Sequence, residues 1–224
     1  MTGLGYKRNK NGDILIGSNT GIPIVSSEWT VLADRNPALT YGVTTNLSYK
    51  GFRLSAMLSG MFGAGVVNGT MRAMMDRGQS WESVRLRESR HYVFPGVLMD
   101  GMQDTDTPTK NTVAVDMWKY AGSSIFTGGD EYWFEKNVNY LKLAEVRLSY
   151  AVPSSWLKKA TKNFISNASI FVSANDLCTF TNYSGVDPVG NTMSAAGGGT
   201  GGQGYDVWGI PAPRTYSFGV SLTF

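Results

Sequence analysis

The chain has 224 residues, a length that suits one large domain or a piece of a larger one. Its 20 basic and 17 acidic residues give a net charge of +3 and form no basic tract, so nucleic-acid binding is not expected. A single cysteine, Cys178, excludes an internal disulfide framework and cysteine-based zinc sites. High glycine content, with 27 residues, and a low charged fraction of 17% favour β-structure with long loops.

The first clear strands of the chain are predicted to form a hairpin. Residues 1–36 have the composition of loop, apart from a short possible strand at Ile14–Ile16. In Tyr41–Lys50 and Phe52–Phe62, apolar and polar side chains alternate, which predicts two strands with one apolar face each. Lys50–Gly51 lies where the two runs meet, so a very short turn joins them.

Two long irregular regions interrupt this pattern. The first, residues 63–137, could hold short helices at Arg72–Arg90 and Asn111–Tyr120. The second covers residues 181–213. Loops of this length are uncommon in a compact domain and are usually functional, so we expect any recognition surface to lie in these regions.

Three further strands complete the predicted pattern. Strands are expected at Tyr140–Val152 and Ala168–Phe180, with one helical turn at Ser154–Lys159 between them. The last strand, Thr215–Phe224, alternates without a break. Its apolar side chains share one face: Tyr216, Phe218, Val220, Leu222 and Phe224. A strand that ends on phenylalanine resembles the assembly signal of outer-membrane β-barrels.

Loop lengths and aromatic spacing favour a membrane barrel over a soluble sheet. The connections between strands alternate between short and long, as in outer-membrane barrels with short turns at one end. Four of the five strands carry two aromatic residues eight or ten positions apart on the apolar face. At ~3.4 Å per residue and a tilt of roughly 40°, this spacing climbs about 21–26 Å, close to the ~25 Å height of a barrel's apolar band. No apolar run reaches the length of a transmembrane helix.

Two charged residues fall on the apolar faces of the predicted strands. Lys142 lies two residues from the end of its strand, where a long side chain can snorkel to lipid headgroups. Asp176 interrupts the apolar face of the next strand, and a β-bulge near Asn175–Asp176 would restore the alternation.

Several segments carry a family resemblance. The longest are Leu141–Pro153, Val172–Pro188 and Pro211–Phe224, and shorter landmarks occur in order at Asp34–Pro37, Tyr49–Phe52 and Asn68–Thr70. These segments resemble SusC/RagA-like TonB-dependent outer-membrane transporters, which have a 22-stranded barrel filled by an N-terminal plug. The resemblance implies an all-β fold: an antiparallel transmembrane β-barrel segment of about five C-terminal strands, with two long extracellular loops.

The resemblance also implies a function and partners. Residues 1–224 would form the C-terminal part of a barrel that imports oligosaccharides or peptides through the outer membrane of a Gram-negative bacterium. The expected partners are a SusD-like surface lipoprotein, TonB through a missing N-terminal region, the barrel-assembly machinery and outer-membrane lipid. The polar N-terminus shows no secretory signal, and no plug or TonB box is present, so a fragment is expected.

Two sets of side chains are candidates for contacts with substrate or partners. Aromatic residues in or beside the long loops could stack on a sugar or touch the lipoprotein lid, or could instead pack the loops together: Trp81, Trp118, Tyr132, Trp133, Tyr205 and Trp208. On the face expected to line the lumen, Arg53, Glu145 and Arg147 could pair with the plug or substrate, or with the barrel wall.

Catalysis, metal binding and cofactor binding are not expected. His91 is the only histidine, and no G-x-S-x-G motif accompanies it. Gly199–Gly204 matches G-x-G-x-x-G but neither follows a strand nor opens a helix. Asp100, Asp104 and Asp106 lack the spacing of a calcium loop. The open alternatives are a small passive outer-membrane barrel or adhesin, and a soluble carbohydrate-binding β-sandwich.

Overall fold

The computed structural model describes residues 1–89, 91–116, 129–162, 164–189 and 204–224. Within these ranges the strands are β1 (Thr2–Tyr6), β2 (Leu15–Ile16), β3 (Val25–Val31), β4 (Leu39–Tyr49), β5 (Phe52–Asn68), β6 (His91–Tyr92), β7 (Val97–Leu98), β8 (Val115–Asp116), β9 (Phe134–Ala151), β10 (Asn167–Thr181), β11 (Tyr205–Asp206) and β12 (Thr215–Thr223). The helices are α1 (Gly69–Asp76), α2 (Trp81–Ser89), α3 (Ser154–Thr161) and a 3-10 helix, Asp130–Trp133.

The chain divides into two compact units. The loop unit comprises Met1–Asn36, Gly65–Lys136 and Val189–Gly209, and the strand unit comprises Pro37–Ala64, Asn137–Pro188 and Ile210–Phe224. In the strand unit, the five long strands are neighbours in the order β4-β5-β9-β10-β12. Each predicted strand is therefore present, and long strands that follow one another along the chain are neighbours in the sheet. No helix of the described residues is long and apolar enough to cross a membrane.

A two-residue turn joins β4 and β5, as predicted. Lys50 and Gly51 both have positive φ angles, 44° and 88°, which is the signature of a type I′ hairpin turn. A side chain at Gly51 would place its Cβ 3.0 Å from the carbonyl oxygen of Ala151. The Ala151 N–H donates to the Gly51 carbonyl at 2.9 Å, so this turn lies beside the end of β9.

The predicted β-bulge lies in β10. Asn175 pairs with Glu145, but the next pair is Cys178 with Leu143, so β10 carries one extra residue. Asp176, in that extra segment, has a φ of 53°. The bulge exchanges the faces of the residues that follow it, because side chains alternate with period 2.

The connection from β9 to β10 is a helix of two turns rather than one. Helix α3 covers Ser154–Thr161 and ends at Lys162, whose left-handed backbone lets its N–H donate to the Lys158 carbonyl. Strand β12 then pairs with β10 from Asn175 to Asn167 without a register shift.

The expectation that residues 1–36 form loop is wrong. Strand β1 pairs with β3, and β2 pairs with β7. The short strand expected at Ile14–Ile16 is present as β2. The β1 sequence, with glycine at positions 3 and 5, carries little strand propensity. Its order depends on distant partners: the N–H of Leu4 donates to Asp130 at 2.8 Å and that of Tyr6 to Glu131 at 3.0 Å.

This carboxylate contact closes the free edge of β1. Gly3 is required for the approach, because a Cβ there would lie 2.9 Å from Asp130. Burial raises the pKa of Glu131, but hydrogen bonds from Tyr6 and Arg8 outweigh it and leave the pKa below its usual value. Burial, with the charges of Tyr132 and Glu131, raises the pKa of Tyr6 to about 12.

Two helices, α1 and α2, lie where the sequence predicted one short helix at Arg72–Arg90. Helix α1 begins after Asn68, whose side-chain oxygen accepts from the Met71 N–H at 3.0 Å, and α2 follows. The helix expected at Asn111–Tyr120 is absent over 111–116, where β8 forms instead, and 117–120 lie outside the described residues. The core of the loop unit is formed by Ile16, Met75, Phe94, Val115 and Trp133.

Candidate functional site

One face of the strand unit, here called the apolar face, consists of exposed hydrophobic side chains. The pairing register places Phe218 opposite Val172 and Val220 opposite Ile170, so apolar neighbours meet across each strand pair. Phe218 is 89% exposed. The exposed set extends over all five strands and includes Val43, Leu47, Phe52, Leu148, Ile170, Val172, Phe218 and Val220. A continuous apolar surface of this kind marks contact with lipid or with a partner.

Aromatic rings pair at both ends of the apolar face. At the end with the short turns, Phe52 packs on Tyr150 with ring centroids 4.5 Å apart. At the other end, Tyr41 stacks on Phe62 at 5.4 Å, and its hydroxyl donates to the Tyr140 carbonyl. Paired rings at two levels are the arrangement that the aromatic spacing predicts for the edges of an apolar band.

The predicted closing strand contributes fully to the apolar face. Its five apolar side chains are all exposed: Tyr216, Phe218, Val220, Leu222 and Phe224. The ring of Phe224 also packs on Phe164 at 5.3 Å. Nothing in the described residues of the strand unit forms a second sheet over these side chains.

Lys142 and Asp176, the two irregular residues of the apolar face, form an ion pair. Lys142 Nζ lies 2.7 Å from Asp176 Oδ1, and the two side chains are 13% and 28% exposed. The bulge at Asp176 makes this contact possible, because it frees that residue from the regular alternation. Each charge therefore neutralises the other at the margin of an otherwise apolar surface.

The opposite face of the strand unit, here called the polar face, forms a groove of about 660 Å³. Arg53 and Arg147, two of the three residues predicted to face a lumen, both line it. Serine and asparagine side chains fill much of the remaining lining: Asn46, Ser48, Ser55, Ser149 and Ser169. Glu145 lies on the same face of β9 two residues from Arg147, opposite Asn175, but does not line the groove.

Arg147 is held in the groove by an aromatic ring. Its guanidinium carbon lies 4.1 Å from the centroid of the Phe171 ring, a cation–π contact. Phe171 pairs with Gly219 on β12, and a Cβ at Gly219 would lie only 2.6 Å from the ring. Gly219 therefore provides the space that the ring occupies, and the ring provides the surface on which Arg147 rests.

The groove carries positive charge. Lys50, Arg53 and Arg147 line it, and its lining includes no carboxylate. Among the described residues, no carboxylate forms an ion pair with any of the three. The groove can therefore donate hydrogen bonds to anionic groups, but its described residues include no carboxylic acid for proton transfer.

The predicted loop aromatics have unequal exposure. Trp133 is only 4% exposed and belongs to the core, so it presents no ring face for stacking; Tyr132 packs edge-on against it at 4.8 Å. Burial, with nearby charges, raises the pKa of Tyr132. Trp208 is 50% exposed and lies 5.2 Å from the Arg77 guanidinium.

The remaining aromatic residues of the loops also differ in their exposure to solvent. Trp81, at the start of α2, is 81% exposed. Tyr205 is half-buried in β11, and Trp118 lies outside the described residues. Sequence reasoning missed Trp29 and Trp156, both well exposed. Trp156 could have been identified from the sequence, because Lys158 and Lys159 follow it within the helical turn predicted at Ser154–Lys159.

The other motifs acquire no chemistry in the described residues. His91 lies in β6, and its backbone is opposite that of Asp116 in the antiparallel neighbour β8. Asp104 accepts a hydrogen bond from the Lys10 N–H at 3.0 Å. No group of three or more histidine, cysteine or carboxylate side chains within the described ranges could hold a metal ion. Gly199–Gly204 lies outside these ranges except for its last residue.

Comparisons with known proteins agree with the motif resemblance. The chain is 24% identical over 216 residues to TonB-dependent receptor P26 of Formosa agariphila, covering 96% of this chain and 19% of that receptor. It is 21% identical over 210 residues to TonB-dependent receptor P3 of the same bacterium, covering 90% of this chain and 18% of the relative. No family model matches the sequence.

Solved structures of the RagAB peptide importer have the same fold. The 'open-open' state gives a TM-score of 0.59 at 21% identity, over all of this chain and 22% of that chain. The 'closed-closed' state gives 0.55 at 19% identity, over all of this chain and 23% of that chain. The chain spans about one fifth of the length of the curated relatives it matches. It is therefore similar, over nearly its whole length, to part of a SusC/RagA-like TonB-dependent receptor.

Proposed function

We propose that the chain is part of an outer-membrane TonB-dependent importer that takes up oligosaccharides or peptides. Residues 1–224 would form the C-terminal part of a transmembrane β-barrel, with extracellular loops at about 63–137 and 181–213. The barrel would close with strands from outside this chain, fold with the barrel-assembly machinery and work with a SusD-like surface lipoprotein. TonB would act through a region outside these residues.

The exposed apolar face is the observation that carries this proposal. In water, burying such side chains is worth roughly 1.5–3 kcal/mol each, so a soluble sheet would cover them. A β-sandwich would do so with a second sheet, and the described part of the strand unit has none. Lipid covers the face equally well, and the aromatic pairs at both ends match the interfacial girdles of a barrel.

The polar groove is the matching feature on the other face. Strands of a membrane barrel alternate between lipid-facing apolar residues and lumen-facing polar residues. Arg53 and Arg147 would then face the barrel interior, where they can bind acidic or hydroxylated groups of a substrate or plug. The exposed rings Trp81 and Trp208 would lie in extracellular loops and contact a sugar or the lipoprotein, as would Tyr132, Tyr205 and Trp118.

Adjacent positions on β12 give a direct test of the two-faced arrangement. In a background without other cysteines, Phe218→Cys and Ser217→Cys are each labelled with a small fluorophore. The whole receptor of which the chain is proposed to be part is then refolded into phosphatidylcholine vesicles, so that the sheet edges are paired. Acyl chains brominated at mid-depth quench only probes within the hydrocarbon. We expect strong quenching at 218 and little at 217, because neighbouring side chains on a strand point to opposite faces.

Two outcomes would contradict the proposal. Equal quenching at 217 and 218 would show that the strand lies on the bilayer without separating lipid from water. No quenching at either position, with the protein remaining in solution, would favour a soluble β-sandwich.

A further inference from the structure

Helix α3 lies at the end of the strand unit where the short turns are. It connects β9 to β10. The Lys50–Gly51 turn lies at the same end, since the Ala151 N–H donates to the Gly51 carbonyl. So does the end of β12, because the Ser166 N–H donates to the Thr223 carbonyl at 2.7 Å. Several lysines and aromatic rings are therefore grouped at one end of the sheet.

The charged side chains at this end are all basic. Between Glu145 and Asp176 the sequence contains no acidic residue. Lys158, Lys159 and Lys162 follow one another through and just beyond α3, all exposed, and the described residues give none of them an ion pair. Lys158 and Lys159 lie in the last turn of α3, where the negative end of the helix dipole stabilises positive charge. That effect is typically worth 0.3–1 kcal/mol and does not require three lysines.

Exposed rings accompany these lysines. Trp156 in the first turn of α3 is 68% exposed, and none of the residues of the helix is buried. Phe164, just past the helix, is 69% exposed and touches Phe224 of the apolar face. The apolar face thus continues into this end without a break. Tryptophan beside lysine at the edge of an apolar surface is the composition of a membrane interface.

We propose that α3 and its flanking residues bind the headgroups of anionic phospholipids. The bound surface would be the bilayer face on the side of the short turns. Trp156 and Phe164 would enter the upper acyl region, while Lys158, Lys159 and Lys162 would contact phosphate groups, with Lys50 nearby. Charge complementarity selects this occupant: an acidic protein would satisfy the lysines but would not explain rings that extend the lipid-facing surface. The inference rests on the proposed membrane function.

Lipid selectivity around α3 tests the inference. In the same cysteine-free background, Ala160→Cys is labelled with the same fluorophore, and the whole receptor is refolded into vesicles of phosphatidylcholine and phosphatidylglycerol at 7:3. Two samples are compared, in which acyl chains brominated near the headgroup belong either to the phosphatidylglycerol or to an equal amount of the phosphatidylcholine. Each lysine near an anionic surface strengthens binding about fivefold at low salt. We therefore expect brominated phosphatidylglycerol to quench at least about fivefold more effectively, with the preference falling as salt is added.

Matched variants assign the effect to the lysines. Replacing Lys158, Lys159 and Lys162 with glutamine should bring the preference close to one. Arginine at the same three positions should keep it, which separates charge from any fraying of the helix. The control removes the same charge from the loop unit by glutamine substitution at Lys7, Lys10 and Lys110, and should leave the preference unchanged.

The outcomes separate this inference from the proposed function. Quenching at Phe218→Cys with no lipid preference at position 160, or with a preference that survives the glutamine variant, would overturn the α3 inference alone. A control variant that loses the preference as fully would overturn it as well. Absence of quenching at position 218 would overturn the membrane proposal and this inference together.

Discussion

Neutralising Asp176 should destabilise the strand unit far more than breaking an ion pair at the surface. Asp176→Asn removes the charge while keeping a side chain that tolerates the left-handed backbone at this position, where φ is 53°. It leaves the Lys142 ammonium with no anionic partner at a site where the lysine side chain is only 13% exposed. Lys142→Met removes the other charge but keeps the aliphatic stem.

The magnitude follows from how deeply the pair is buried. Pairs at an exposed surface contribute about 0.2–1 kcal/mol, whereas removing one partner of a buried pair costs about 3–5 kcal/mol. The Lys142–Asp176 pair is of intermediate burial, so we expect Asp176→Asn to lower the free energy of unfolding by about 2 kcal/mol. Lys142→Met should be milder, because an unpaired carboxylate is tolerated better than an unpaired lysine on a lipid-facing strand.

A double-mutant cycle measures the coupling directly. Unfolding by guanidinium in detergent micelles is compared for the parent chain, both single variants and the double variant. The control cycle uses Glu82 and Arg85 of α2, whose paired side chains are 41% and 62% exposed. We expect a coupling energy of about 1–2 kcal/mol for Lys142 with Asp176 and a much smaller coupling for the exposed control pair. Equal couplings would refute the reasoning that the bulge builds a partly desolvated pair.

Three further outcomes are expected from single substitutions. Because burial raises the pKa of Tyr6 to about 12, the parent should lose stability between pH 10 and 12, and Tyr6→Phe should lose less, as measured by urea unfolding across that range. Gly219→Val should lower the free energy of unfolding by about 1–3 kcal/mol, whereas Gly42→Val should change it little, because a Cβ there meets only the Leu58 carbonyl oxygen, at 4.0 Å. Trp133→Ala should lower it by about 3–5 kcal/mol and Trp81→Ala by less than about 0.5 kcal/mol, measured by unfolding of the same chains.

The strand unit was largely predictable because its constraints are local. Period-2 alternation determines which side chains share a face, and the Lys50–Gly51 turn fixes the register of the first hairpin. The bulge could be located because Asp176 broke the alternation within one strand. The ion-pair partner of Asp176 could not be predicted, since its contact with Lys142 depends on the pairing between two strands.

The loop unit was less predictable because long-range contacts stabilise it. Strand β1 has two glycines and little intrinsic preference for extended structure, and it is ordered by carboxylates more than a hundred residues away at Asp130 and Glu131. Trp81 and Trp133 had the same two alternatives, contact with a ligand or packing of the loops, because an irregular region gives no periodicity from which burial can be read. Exposure of Trp81 and burial of Trp133 follow from the fold of the loops, which local sequence patterns do not encode.

The two ends of the apolar face differ in chemistry, and this difference argues for an orientation. At the end with the aromatic pair Tyr41–Phe62, the bulge brings Asp176 to Lys142, so the charge there is neutralised within the protein. At the α3 end, the lysines have no such partner among the described residues. An exposed lysine at the edge of an anionic bilayer is solvated by water and is stabilised further by the lipid phosphates. On the proposed membrane function, we expect the α3 end to lie at the more anionic leaflet.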